Sequence, residues 1–160
     1  MTRCAGIIGL IAAVVSFSGD AKAEDKEPSA VVEIGGAGEW GLGGGSGFGP
    51  SAALELSPIK SLLLEVGVAP LFSGGHAEWD TDLLFKKSFD LSKTVEFEPG
   101  IGPAWNGGGK IAGEVSFQFM IWPSPERKLG YFVESSYSYS FSNGHEQSLG
   151  MSVGLLIAIP

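Results

Sequence analysis

Hydrophobic and polar residues alternate with a period of two along almost the whole chain after residue 30. The last segment shows this most clearly, because the odd-numbered residues from Leu149 to Ile159 are all apolar and the even-numbered ones between 148 and 154 are Ser or Gly. Successive side chains of a β-strand point to opposite faces of the sheet, so a period of two predicts strands and excludes helix. Eight such segments of about ten residues can be distinguished.

Four glycine-rich clusters separate these segments at intervals of roughly one hairpin. They occupy residues 43–47, 73–75, 106–109 and 142–144. Glycine and asparagine accept the left-handed backbone that tight hairpin turns require. Alternation and turn chemistry together predict an all-β fold, an eight-stranded antiparallel up-and-down β-barrel.

The amino terminus predicts a cleaved export signal. Arg3 precedes an uncharged apolar stretch over residues 5–17, and Ala21 and Ala23 flank Lys22 as in an A-x-A cleavage site. The stretch is too short for a membrane-spanning helix. We therefore expect a signal peptide at residues 1–23 and one domain at residues 24–160. Cleavage removes Cys4, the only cysteine, and with it any disulfide or thiol chemistry.

The mature chain is expected to be both acidic and apolar. Of 10 basic and 18 acidic residues, Arg3, Lys22 and Asp20 leave with the signal, so 8 and 17 remain and the net charge is −9. A chain this acidic, without a basic stripe, is not expected to bind nucleic acid. Mean hydropathy is nevertheless +0.20. Apolar residues spread over short strands are what a transmembrane barrel requires.

The distribution of aromatic residues favours a membrane environment for the apolar face. Near the strand ends, aromatic residues are expected to form two interfacial girdles. The predicted girdle residues are Trp40, Phe48 and Trp105 at one level and Phe85 and Trp122 at the other. The opposite face is rich in Gly, Ala and Ser, which suits a narrow lumen. Two soluble periplasmic alternatives remain: a β-sandwich with the apolar face as its core, and a lipocalin-like barrel binding an apolar ligand.

The strand pattern, aromatic positions and glycine clusters resemble those of the small eight-stranded outer-membrane barrels of Gram-negative bacteria, the OmpA/OmpX-like superfamily. The resemblance implies residence in the cell outer membrane, contact with its lipid and lipopolysaccharide, and insertion by the barrel-assembly machinery. Such barrels usually end on an aromatic residue, whereas this chain ends Ile159-Pro160. An even strand number places both termini on the periplasmic side, so Lys86 and Arg127 fall in predicted periplasmic turns.

The polar face carries the most notable chemistry. We expect seven glutamates to point inward: Glu33, Glu55, Glu65, Glu96, Glu98, Glu114 and Glu134. No Lys or Arg is predicted on that face. Because eight strands leave room for side chains rather than for water, the sequence predicts a closed, acidic, side-chain-filled lumen and a structural or envelope-related role. A cation-selective narrow channel or a cation-binding barrel is an alternative.

Two further groups of residues are weaker candidates for a functional site. His76, Glu78 and Asp80 alternate so as to share a face and could hold a divalent metal, although a solvated acidic stretch is the simpler interpretation. His145 and Ser148 raise the alternative of a lipid A-modifying surface enzyme, but residues three apart on a strand lie on opposite faces. We therefore predict no enzymatic activity, no metal and no cofactor.

The fifth segment contains two prolines, Pro99 and Pro103. Proline cannot donate to a strand ladder, and a closed barrel has no free edge where this is harmless. The sequence therefore predicts a β-bulge near Pro99-Gly100.

Overall fold

A computed structural model describes residues 28–59, 62–106, 109–141 and 145–159 of the 160-residue chain. The predicted signal peptide at residues 1–23, the first mature residues and Pro160 lie outside the described residues. So do the centre of the glycine cluster at residues 106–109 and the whole of the cluster at residues 142–144. Within the described ranges, no helix is long and apolar enough to cross a bilayer.

The described chain forms strands joined by short connections. Eight long strands match the eight predicted segments, and a two-residue strand that the sequence did not predict lies between the fourth and the fifth of them. The strands are β1 Ala30–Gly41, β2 Ser46–Ile59, β3 Leu62–Ser73, β4 His76–Lys86, β5 Phe89–Asp90, β6 Val95–Asn106, β7 Lys110–Ile121, β8 Leu129–Ser140 and β9 Gln147–Ile159.

The long strands close into a barrel. Neighbours along the chain pair antiparallel, β9 returns to pair with β1, and β4 pairs with β6 across the short β5. This confirms the predicted eight-stranded antiparallel barrel. The strand ends next to the glycine clusters lie at one end, called here the glycine end. The first residues of β1, the last residues of β9 and the strand ends next to the β2–β3, β4–β6 and β7–β8 connections lie at the other, the terminal end.

Apolar side chains point out of this barrel and polar ones point in. In the middle of their strands, Ile34 is 52% exposed, Val66 52% and Val153 46%. By contrast, Glu33, Glu65 and other charged side chains are buried inside. This is the reverse of a soluble protein, whose core would hold the apolar face. The structure therefore has the polarity of a transmembrane barrel, and neither soluble alternative places its apolar face outward.

Strand β6 is continuous through both prolines, so the predicted bulge near Pro99-Gly100 is wrong. Its pairing with β7 runs in one register from Val95–Ile121 to Asn106–Lys110. The N–H of Lys87 donates to the carbonyl of Pro99 at 3.1 Å, so Pro99 turns its backbone polar groups towards β4. Because polar groups alternate sides along a strand, those of Pro103 face β4 as well.

Proline has no N–H to donate, so both prolines weaken the same pairing, that between β4 and β6, called here the β4–β6 seam. Its registered pairs are Thr81–Trp105, Asp82–Ala104, Phe85–Ile101 and Lys86–Gly100, with a gap opposite Leu83 and Leu84. The gap coincides with Pro103, which has no N–H to offer Leu83. At Gly102 a Cβ would lie 1.8 Å from the carbonyl oxygen of Leu83, so the close approach of the two backbones requires glycine there.

We predict faster local opening along the β4–β6 seam. The amides of Leu83 and Phe85, which face β6, should exchange hydrogen roughly fivefold faster than those of Val153 and Leu155, which face β1, because a missing bond costs about 1 kcal/mol of local stability. Residue-resolved hydrogen exchange on the mature protein in detergent micelles checks this. The two pairs are matched, since all four residues lie in long barrel strands. Equal protection in both seams contradicts the prediction.

Candidate functional site: the barrel interior

A hydrophobic cluster lies inside the barrel at the terminal end. It consists of Val31, Met120, Trp122, Phe132 and Leu156, each at most 4% exposed, and is called here the seal. Burying a side chain of this size contributes about 1.5–3 kcal/mol relative to leaving it in water. The seal comes from β1, β7, β8, β9 and the residue after β7, so it ties together strands from one half of the barrel.

Trp122 belongs to the seal and not to an outer girdle, which corrects the sequence prediction. It is fully buried, and its indole Nε1 donates to Glu96 Oε2 at 2.9 Å. The physical reason is the strand period itself. Ile121 points outward, so the next residue must share the inner face with Met120. The other predicted girdle residues, Trp40, Phe48, Phe85 and Trp105, are between 40% and 73% exposed on the outer face.

Arg127 caps the seal from the terminal end. It lies in the β7–β8 connection with a φ of 48°, a left-handed conformation that is uncommon for a residue with a side chain. Its guanidinium pairs with Glu96 and, at 2.8 Å, with Asp90 in β5. The expectation that no basic group reaches the inward glutamates is therefore wrong at Glu96.

The position of Lys86 corrects a second prediction, that no basic residue lies on the inner face. We expected it in a periplasmic turn, yet it is the last residue of β4 and its ammonium is fully buried in the lumen. It pairs with Glu65 and donates to Gln118 Oε1, and Glu134 lies 3.1 Å away. Gln118 in turn donates to Glu33 at 2.6 Å. Strand alternation explains the position, since Lys86 shares a face with Leu84 and Asp82.

The seven predicted inward glutamates all lie inside the barrel. Glu33, Glu55, Glu65, Glu96 and Glu98 are buried, and Glu114 and Glu134 are half-buried. Together with Lys86 they form the charged layer, most of which lies on the glycine-end side of the seal, while Glu96 contacts Trp122 and Arg127 at the level of the seal. The carboxyl groups of Glu55 and Glu98 lie next to each other.

Above the charged layer the lumen widens in two steps. A chamber of about 90 Å³ is lined by Glu33, Glu65, Asp82 and Glu114 among others. A vestibule of about 850 Å³ at the glycine end follows, and it shares lining residues with the chamber, among them Asp80. The chamber and the vestibule together are called here the cup, which opens at the glycine end.

The weaker candidates lie around the vestibule. His76, Glu78 and Asp80 line it, but the structure does not gather their ligand atoms into one group. Among the described residues, the acids that come within 4.8 Å of one another are Glu33, Glu55 and Glu65 instead.

His145 and Ser148, the residues of the enzyme alternative, have different hydrogen-bond partners. The Nδ1 of His145 lies 2.9 Å from the hydroxyl of Tyr139. Ser148 Oγ is buried, 2.6 Å from Ser138 Oγ. Neither partner is a group that would activate a serine nucleophile, so the structure does not assemble a serine–histidine pair.

No protein-family model matches the chain, and no curated protein matches its sequence. Its likeness is to solved structures. A barrel from the de novo design of transmembrane β-barrels has a TM-score of 0.60 at 13% identity, with 84% of this chain and 99% of that chain covered. Neisserial surface protein A has a TM-score of 0.58 at 14% identity, with 81% and 96% covered. Ail, the attachment invasion locus protein of Yersinia pestis, has 0.59 at 13% identity, with 82% and 99% covered.

At sequence identities this low, the likeness to these solved structures concerns the fold alone. This chain has the closed, all-antiparallel, eight-stranded fold of the small outer-membrane β-barrels.

Proposed function

We propose that the mature protein is a plugged outer-membrane barrel with a structural or envelope-related role and no enzymatic activity. The observation that supports the proposal is the content of the terminal half of the barrel, where a hydrophobic seal, an ion-paired cap at Arg127 and a charged layer lie. Its partners in this proposal are the lipid and lipopolysaccharide of that membrane and the barrel-assembly machinery.

The seal argues against a channel. A hydrated ion moving along the axis would have to pass between Trp122, Met120 and Phe132, which leave almost no exposed surface. Transferring an unpaired charge into such apolar surroundings costs many kcal/mol. The charged layer adds a second obstacle, because the ammonium of Lys86 is held by two glutamates and Gln118.

The outer surface argues for residence in lipid and against surface catalysis. Its mid-strand residues are aliphatic or aromatic, as lipid contact requires. The serine of the enzyme alternative, Ser148, points into the lumen, where the acyl chains of a lipid A molecule could not reach it. This supports the non-enzymatic proposal.

The wild-type protein should be electrically silent in a planar bilayer. Trp122→Ala should produce small cation-selective currents, because it removes the largest side chain of the seal while the acidic lumen wall stays in place. Single-channel recording with asymmetric salt measures both conductance and selectivity. Trp105→Ala is the matched control: it removes the same side chain from the outer face and should stay silent.

The outcome that would contradict the plug is specific. Regular conductance steps from the wild-type barrel would show that the lumen conducts. Silence of a correctly folded Trp122→Ala barrel would show that the seal is not what blocks ions.

Removing the buried ammonium should destabilise the barrel strongly. Lys86→Met should cost about 3–5 kcal/mol at neutral pH, because it leaves Glu65 and Glu134 buried without their cation. Urea unfolding in detergent or lipid vesicles, followed by tryptophan fluorescence, measures it.

The control for this prediction is Lys110→Met. Lys110 pairs with Glu146 at 2.6 Å, but both side chains are largely exposed, so this variant should unfold almost as the wild type does. Equal stability of the Lys86 and Lys110 variants would contradict the role assigned to the charged layer.

A further inference from the structure

Three glutamates of the charged layer meet on adjacent strands. Glu55 in β2 lies directly opposite Glu65 in β3, and Glu33 in β1 lies beside them. Each is at most 4% exposed, and one carboxylate oxygen from each lies within 4.8 Å of the others. The strand register alone produces this arrangement.

The local charge is far from balanced. Lys86 pairs with Glu65 and Glu134. Within the described part of the chain, Glu33, Glu55 and Glu98 have no basic group within 4.0 Å. Like charges buried together at low dielectric repel strongly. The layer therefore needs further positive charge, in the form of protons or of a bound cation.

A separate observation points to a ligand. Glu98 is 2% exposed, and its carboxyl contacts that of Glu55, yet its Oε2 has no hydrogen-bond partner within the described chain. The Oε2 of Glu55 is unpartnered in the same way, as is the fully buried Oγ of Ser116. Leaving a buried polar atom unpaired costs about 1–3 kcal/mol, and more when the group is charged. The unpartnered oxygens on the neighbouring carboxyls of Glu55 and Glu98 suit a cation.

We propose that Glu33, Glu55 and Glu65 bind one Ca²⁺ ion, with Glu98 as a fourth acidic neighbour. All the donors are carboxylate oxygens, which hard cations prefer. Ca²⁺ takes oxygen ligands at about 2.3–2.6 Å, so oxygens that all lie within 4.8 Å of one another can reach a common Ca²⁺ ion. Mg²⁺ demands shorter bonds of about 2.0–2.1 Å and keeps most of its water, so it fits this buried group less well.

The cup supplies the entry route. Glu33 and Glu65 line the chamber, and the chamber shares Glu39 and Asp80 with the open vestibule. A cation arriving at the glycine end therefore meets acidic walls down to the site. The seal lies beyond the site, so the ion binds without crossing the barrel. The site goes beyond the structural role proposed above, and it does not need the barrel to conduct.

Calcium titration of the refolded, chelator-treated mature protein in detergent micelles tests the proposal. Isothermal calorimetry with CaCl₂ at neutral pH should show one ion bound per barrel. Glu55→Gln should weaken binding roughly tenfold or more, because the number of charged ligands sets the affinity of such sites. The amide of this variant can still hydrogen-bond to Glu98, so the fold should be kept. Heat-dependent gel mobility verifies that each variant is folded.

Glu114→Gln is the matched control. It removes one negative charge from an inward-facing acid that lines the chamber but does not belong to the three-glutamate group. It should therefore bind Ca²⁺ almost as the wild type does. If Glu55→Gln does not refold, Glu33→Gln takes its place with the same expected loss.

Three results would overturn the calcium site. The first is a folded wild-type barrel that takes up no Ca²⁺ at millimolar concentration. The second is an equal loss of affinity in the Glu55 and Glu114 variants, which would mean diffuse attraction by an acidic lumen. The third is Mg²⁺ binding as tight as Ca²⁺ binding. None of these results bears on bilayer conductance, so the plugged-barrel proposal is tested separately.

Discussion

Backbone hydrogen bonding in an apolar surrounding is the constraint on which this structure depends. Lipid offers no partner for an unpaired N–H or carbonyl, so strands can cross a membrane only when the sheet closes on itself. The return of β9 to β1 and the pairing of β4 with β6 meet that demand. Pro99 and Pro103 are tolerated where β6 faces β4 because proline has no N–H to leave unpaired. Only the carbonyl groups opposite the two prolines lose a hydrogen-bond partner.

Closure also determines what the interior must hold. With the apolar face turned to lipid, the inward positions of eight strands decide what occupies the lumen. The seal around Trp122 and the layer around Lys86 lie in the terminal half, and the vestibule lies in the glycine half. The many inward carboxylates and the buried ammonium of Lys86 leave a need for further positive charge, which links the proposed plug to the proposed calcium site.

The sequence predicted the strands, their number and their faces because the period of two leaves little choice. The same alternation also indicates where Trp122 and Lys86 lie, although both were predicted wrongly. It places Trp122 on the inner face with Met120, and Lys86 on the inner face with Leu84. Both lie at strand ends, where alternation does not show how far a strand extends. Three features depend on tertiary pairing, which no local pattern contains. They are the register that sets Glu55 opposite Glu65, the short strand β5, and the contact between Arg127 and Glu96.

The outward direction of the apolar face is the central claim, and spin labels on single cysteines test it directly in lipid nanodiscs. The labels replace Val153, on the outer face of β9, and Ser148, which lines the vestibule. The account predicts that oxygen, which dissolves in lipid, relaxes the label at Val153→Cys, while a water-soluble nickel chelate relaxes the one at Ser148→Cys. A label at 153 that is immobile and shielded from oxygen would show that the apolar face is a packed core, and would contradict the account.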